Sequence, residues 1–272
     1  MVADLAEADP IRPDARVVDR LNTGPRFNDE DAIRLNRMFR GSSTREMLQS
    51  VIEDNLIGDI AVVSSFGAES AALLHLIAQV DPSLPVLFLE TGKHFPETLA
   101  YRDDLVERLG LTNLVNLYPD LGTLQQKDET GLRWSYDPDG CCEIRKVIPL
   151  AKALSNFDGS FTGRKSFQSD TRANLPRFEI DTSDEQGRLK INPLIDWNAE
   201  DIAAYFEEHQ LPRHPLIAQG YPSIGCSPCT SKVKPGEDPR SGRWKGWDKT
   251  ECGIHTPLGD DGELPPGYEP FL

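Results

Sequence analysis

An α/β fold built on a doubly wound, mostly parallel sheet is what the sequence predicts, on three observations. Short apolar or β-branched runs recur at 60–65 (IAVVSS), 86–91 (VLFLET) and 113–118 (NLVNLY). Segments of helical character separate them, at 68–80 and 96–110. The first two runs end in small-residue turns, as strands do where a parallel sheet presents its ligand-binding edge. Strands that alternate with helices pair in parallel through crossover connections.

The elements follow in order. Residues 1–27, polar and spotted with proline, read as a flexible leader. A helix begins near NDEDAIRLNRMF, with Asn28 or Asp29 as its N-cap, and a second runs from Ser43 or Thr44 to about Asn55. The first strand and the helix at 68–80 come next, then the strand at 86–91. The helix at 96–110 opens with Pro96 and closes with Gly110. Residues 120–140 are rich in glycine, acids and turn formers. A helix restarts at Cys142 and runs through IRKVI, kinked or restarted by Pro149. GSFTGR (159–164) and LKINPL (189–194) read as later strands, and NAEDIAAYFEEHQ (198–210) as a helix. A single nucleotide-binding domain is expected over 28–230. From Ser231 the periodicity vanishes, so 231–272 reads either as a tail without fixed structure or as a mobile flap that carries function.

Composition excludes some partners. The 272 residues carry a formal net charge of −15. A chain this acidic is a poor general binder of nucleic acid and of anionic membrane surfaces. No run approaches the roughly 18–20 apolar residues of a membrane helix. The N-terminal MVADLAEADPIRPDARVVDR lacks the basic start and apolar core of a signal peptide, and a cytoplasmic protein is expected. Five cysteines, an odd number, point in a reducing compartment to metal binding or catalysis rather than to a disulfide framework.

The motifs carry the chemistry. In VVSSFGAES (62–70) a strand gives way to a small-residue turn and a helix start. Gly67 lets backbone approach a ligand, and Ser64, Ser65 and the following amides suit an oxyanion. LETGKHFPET (89–98) ends the next strand at the same edge, with Thr91 and Gly92 placed to meet a base or ribose. Taken singly, each is also an ordinary turn into a helix.

Four of the five cysteines form two pairs, Cys141–Cys142 in PDGCCEIRK and Cys226–Cys229 in GYPSIGCSPCT. A structural zinc, a [4Fe–4S] cluster and unligated thiols all remain open for this set. The fifth, Cys252 in KTECGIHTP, lies off any apolar helix face, with Lys249 and His255 near in sequence to favour a thiolate. Positive charge gathers locally in this negative chain. Arg164, Lys165, Arg172 and Arg177 stand in 162–177, and Lys232, Lys234, Arg240, Arg243, Lys245 and Lys249 in 232–249. Such clusters suit a small anion, because arginine forks phosphate or sulfate bidentately. They also suit a solvated face with surface ion pairs.

Together, GCCEIRKVIPLAKAL, FTGRKSFQSDTRA, NPLIDW, GYPSIGCSPCT, RSGRW and ECGIH resemble the assimilatory sulfonucleotide reductases, most closely the iron–sulfur adenylyl sulfate (APS) reductases. The resemblance covers roughly residues 55–257. It implies a sheet of the PP-loop, adenine nucleotide hydrolase-like type with a flexible C-terminal flap. It implies a [4Fe–4S] cluster on Cys141, Cys142, Cys226 and Cys229 with Lys146 beside it, and Cys252 as nucleophile. Arg172, Arg240, Arg243 and His255 would contact the phosphosulfate, and Ser64 or Ser65 and Thr91 the nucleotide. The implied reaction is thioredoxin-dependent reduction of APS to sulfite and AMP through a Cys252 S-sulfonate, in sulfate assimilation, by a protein that self-associates. The first loop departs from the pattern. APS enzymes often read SFSGAED where this chain reads SSFGAES, a form whose first half resembles the phosphoadenylyl sulfate (PAPS) enzymes. The intact cysteine quartet favours APS. The same reaction on PAPS, and a non-reductive nucleotide-binding module with a structural zinc, are the alternatives.

Overall fold

Strands buried on both faces organise the fold. The computed structural model describes residues 25–168, 172–183 and 186–254. Six strands form one sheet, β1 (Ile60–Val63), β2 (Val86–Leu89), β3 (Leu114–Leu117), β4 (Gly159–Thr162), β5 (Phe178–Ile180) and β6 (Leu189–Ile191). Their order is β3-β2-β1-β4-β6-β5, with every neighbour parallel except the β5–β6 edge pair.

Val62, Val86 and Phe88 point into one apolar cluster, whereas Ala61, Leu87 and Leu89 point into another. This period of two is what a strand covered by helices on both faces requires. The larger cluster takes α1 (Asp29–Met38), α2 (Thr44–Ile52), α3 (Ser70–Ala78), α4 (Pro96–Leu109) and α8 (Ala199–Glu208). The smaller one takes Leu150 and Leu154 of α7 (Ile148–Leu154). The sheet is therefore doubly wound, as expected.

Local chemistry sets the helix starts. Asn28 with Asp31, Ser43 with Glu46 and Asn198 with Asp201 each form a reciprocal capping box. Such a cap is worth about 1 kcal/mol.

Three elements differ from expectation. The turn-rich stretch 120–140 contains the short helix α5 (Leu121–Lys127), capped by Asp120 but with no buried side chain to give it an apolar stripe. The edge strand β5 was not anticipated, because three residues are too few to show a period. The helix expected to restart at Cys142 starts earlier, as α6 (Pro138–Cys142), with the Asp137 carboxylate accepting from the Gly140 amide. Glycine at 140 leaves room for the Arg133–Asp137 ion pair, whose side-chain ends a Cβ would displace. A π-helical turn, Glu143–Val147, then joins α6 to α7. It lies just ahead of Pro149, which has no N–H for the preceding turn, and such widenings often mark functional sites.

The chain leaves β1 toward β2 and β3, then crosses to the other side at β4. The loops after β1 and β4 therefore open a crevice at the switch point, where α/β sheets bind ligands. No helix among the described residues is long and apolar enough to cross a membrane.

Candidate active site

The crevice is a cleft of about 1150 Å³ above the carboxyl ends of β1, β2 and β4. Its first wall is the loop after β1. Phe66 takes a left-handed conformation, φ 47°, held by its ring, which is fully buried and meets Phe88 edge to face at 5.5 Å. Burying that ring contributes about 1.5–3 kcal/mol, enough to hold one residue in a sparsely populated backbone region. The turn brings Ser65 and Gly67 to the cleft, while the Ser64 hydroxyl accepts from the Phe66 amide. No side chain caps α3; its Ser70 amide donates to the Gly67 carbonyl and its Ala72 amide to the Glu69 carbonyl.

Thr91 is placed differently. It is fully buried beneath the cleft, and its hydroxyl makes a 3.4 Å contact with Cys226 Sγ. The structure thus brings it to the cysteines rather than to the nucleotide wall.

Two cysteine-bearing segments meet below the cleft. Cys141 and Cys142 end α6 and are buried. Cys226 and Cys229 flank a single tight turn, tied to the loop after β2 by the Ser227 amide, which donates to the Lys93 carbonyl at 2.8 Å. The guanidinium of Arg145, one turn beyond the cysteine pair, donates to the Thr91 carbonyl at 2.8 Å and pairs with Asp128 at 2.6 Å. It thereby ties both segments to one frame. Burial pushes the Cys142 and Cys229 thiols up to about 11 and raises Cys141. Burial acts the same way on Cys226, but Lys146, the Thr91 hydroxyl and Arg243 outweigh it and lower its pKa.

All five cysteines are free thiols. Among the described residues no group of three or more His, Cys, Asp or Glu side chains is arranged to hold a metal ion. A four-iron cluster takes its four cysteines on separate irons, so they need not converge on one point. The donor set here, four unpaired thiols on two adjacent segments with three of them buried, fits that group by its chemistry.

Another wall of the cleft is the segment after Ser231, which is irregular but hydrogen-bonded. The Ser231 amide donates to the Gly242 carbonyl, and the Trp244 amide to the Cys229 carbonyl at 3.0 Å. Arg240, Arg243 and Cys252 line the cleft from this side, with Arg172 and Lys146 facing them. Arg243 lies over the Trp244 ring at 4.4 Å, in space left by Gly225, where a Cβ would overlap the guanidinium. Cys252 lies close enough to Lys146, Arg243 and Cys142 for its charge to act on all three. Burial disfavours the Lys146 ammonium, but Cys226, Cys252 and Cys142 together raise its pKa. His255 lies outside the described residues, as do residues 1–24 of the expected leader.

The basic clusters divide. Lys165 enters the cleft but is paired with Glu69 at 2.9 Å, and Arg164 pairs with Glu179. Arg177 pairs with Asp196, and Lys232, Lys234 and Lys245 do not line the cleft. Two residues without a sequence signal matter here. Asp128 anchors Arg145, and Glu251 pairs with both Arg172 and Arg240.

A family model for the phosphoadenosine phosphosulfate reductase domain matches residues 59–232. A protein of Mesorhizobium japonicum named adenosine 5′-phosphosulfate reductase is 52% identical over 210 residues, covering 77% of this chain and 81% of its own length. One of Gloeobacter violaceus named phosphoadenosine 5′-phosphosulfate reductase is 43% identical over 200 residues, covering 72% of this chain and 82% of its own. The crystal structure of phosphoadenylyl-sulfate (PAPS) reductase from Candida auris in its phosphate complex superposes with a TM-score of 0.63 at 25% identity, covering 76% of this chain and 98% of that one.

Proposed function

The chain belongs to the phosphoadenosine phosphosulfate reductase family, and from that premise we propose that it reduces adenosine 5′-phosphosulfate to sulfite and AMP, as an oxidoreductase of sulfate assimilation. The observation that carries this reading is the placement of Cys252 among Lys146 and Arg243, in a cleft that opens beside the nucleotide loop and above two cysteine pairs.

Arg172, Arg240, Arg243 and Lys146 hold the phosphosulfate, joined by His255. Their charges offset the negative charge that accumulates as sulfur is attacked. Ser65 and Gly67 face the nucleotide beside them, with Ser64 shaping the turn. The Cys252 thiolate attacks the sulfur, an S–S bond forms, the S–O bond to phosphate breaks, and AMP leaves with that electron pair. A dithiol protein of the thioredoxin kind then attacks Cys252 Sγ. Sulfite departs with the S–S electron pair, and the donor's second thiol resolves the mixed disulfide. The nucleophile must serve an enclosed cleft and an external protein in turn, which suits a place on the C-terminal segment, 231–272, rather than in the sheet.

Cys141, Cys142, Cys226 and Cys229 would hold a [4Fe–4S] cluster. Bound there, it would supply fixed charge to the site that Lys146 enters. Thr91 holds Cys226, and Arg145 holds the frame. A cytoplasmic, self-associating enzyme accords with this reading.

The test is sulfite release by anaerobically purified protein with thioredoxin, comparing APS and PAPS at equal concentration. APS should be strongly preferred, and Cys252→Ser should abolish release. Preference for PAPS would shift the substrate assignment to the SSF half of the first loop. No sulfite from either, in protein that contains iron and sulfide, would overturn the reductase reading.

A further inference from the structure

The arginines of the cleft are unequally satisfied. Among the described residues Arg243 pairs with no carboxylate, and its buried Nε has no hydrogen-bond partner. Arg172 and Arg240 instead share one carboxylate, that of Glu251, which immediately precedes Cys252. Arg172 Nη2 lies 2.8 and 2.9 Å from its two oxygens and Nε 3.1 Å from one of them. Arg240 Nη2 lies 3.3 Å from Glu251 Oε2 and donates to the Thr250 carbonyl at 2.7 Å. All three side chains are largely enclosed, with 12–22% of their surface exposed. A carboxylate forked by one guanidinium and approached by a second has the stereochemistry of a bound phosphate or sulfate edge.

We propose that Glu251 is an internal anion that closes the Arg172–Arg240 clamp in the ligand-free protein, and that the anionic group of the substrate displaces it. This rests on the assignment of those arginines to the phosphosulfate. The clamp cannot hold two anions, so ligand binding frees residues 250–252 from the arginines. The nucleophile's segment is then released by the same event that fills the site. Glu251 is in this sense a positioning residue, because it acts on Cys252 through its attachment and touches no reacting atom.

The ligand binds only the fraction of molecules whose clamp is open, and its apparent affinity falls by that fraction. A clamp closed about nine times in ten weakens an anionic ligand about tenfold. Removing the charge of Glu251 should therefore tighten anion binding. A carboxylate that merely ordered the arginines would have the opposite effect when lost.

The experiment is calorimetric titration of the full-length protein with AMP and with adenosine, for the wild type, E251Q and E251D. E251Q should bind AMP about tenfold more tightly while its affinity for adenosine, which lacks the anion, stays the same. E251D, too short to reach both arginines, should fall between. Unchanged or weaker AMP binding by E251Q would overturn the proposal, and so would an equal change for adenosine. If E251Q does not fold, E251D decides alone, with tighter AMP binding in support and equal or weaker binding against. The outcome is independent of turnover. Wild-type protein that releases no sulfite refutes the reductase reading, whereas AMP affinities that fail to separate refute only the role of Glu251.

Discussion

Arg145 is the residue whose loss should reach furthest through the site. Its guanidinium meets Asp128 at 2.6 and 3.2 Å, and the side chains are 8% and 0% exposed. A third bond, 2.8 Å long, goes to the Thr91 carbonyl. Replacing Arg145 with methionine fills the volume but leaves the Asp128 carboxylate in the interior, where among the described residues the Arg133 amide is its remaining donor. Breaking a buried ion pair from one side costs about 3–5 kcal/mol. That is a large part of the 5–15 kcal/mol typical of a folded domain. With a urea slope of about 2 kcal/mol/M, the midpoint should fall by about 1.5–2.5 M. Adding Asp128→Asn removes the orphaned charge while keeping an oxygen for the Arg133 amide, and should recover about 1–2 kcal/mol in a double-mutant cycle. The functional readout is iron content. Arg145 links the Cys141–Cys142 helix to Thr91 and, through its hydroxyl, to Cys226, so R145M should retain less iron than the wild type under the same purification. A midpoint shift below about 0.5 M, or no recovery in the double variant, would refute the reasoning from burial.

Two further predictions concern acid stability and the placement of Arg243. Burial lowers the pKa of His214 from 6.5 to about 4. The Leu216 amide donates to its Nδ1 at 3.2 Å, so Nε2 carries the proton and donates to Thr98 Oγ1, leaving no lone pair for a second proton without breaking a bond. The stabilisation is full above pH 6.5 and is lost as pH falls toward 4, by about 2 kcal/mol at about pH 5. Urea unfolding at pH 7 and pH 5 should show that loss in the wild type and a smaller one in His214→Asn, and equal losses would assign the acid sensitivity to other groups. Gly225→Ala should push the Arg243 guanidinium out of the cleft and weaken AMP binding about tenfold, the effect of one charge-assisted contact, with the unfolding midpoint little changed. AMP affinity equal to the wild type would show that Arg243 moves without consequence.

What the sequence disclosed and what it concealed divide along a physical line. The helix starts near Asn28, Ser43 and Asn198 were legible because polar N-terminal residues precede helical patterns there, whereas the reciprocal caps themselves are seen only in the structure. The first three strands were legible because each is an apolar run, and the cysteine quartet because thiols are scarce in this chain. Edge strand β5 and helix α5 were not, one being three residues long and the other burying nothing. The start at Pro138 follows from Asp137 and Gly140, yet the acid- and glycine-rich surroundings hide a single-turn helix. Thr91 sits on the expected loop, but whether its hydroxyl faces a ligand or a cysteine depends on contact with Cys226, 135 residues away. Glu251 is further from prediction still. It lies 79 residues from Arg172, and in sequence it is one acid among the chain's 44.

A chain with 15 excess negative charges can still bind an anion, because its cleft separates cations from carboxylates by position rather than by count. Asp128 takes Arg145 below the site and Glu179 takes Arg164, so these arginines serve as framework. Glu69 holds Lys165 on the nucleotide wall. Lys146 and Arg243 are left facing thiols, which lose charge when protonated and so bind a cation less firmly than a carboxylate does. Among the described residues, Arg172 and Arg240 are neutralised by the segment that carries Cys252. Positive charge available to a ligand is thus confined to the side chains around the proposed nucleophile. The remaining acidity covers the outside, where salt screens it over about 8–10 Å. Affinity for a small dianion should accordingly depend weakly on bulk charge and strongly on these four side chains, which is the pattern to expect when surface carboxylates such as Glu207 and Glu208 are neutralised and AMP binding is compared with that of R243A.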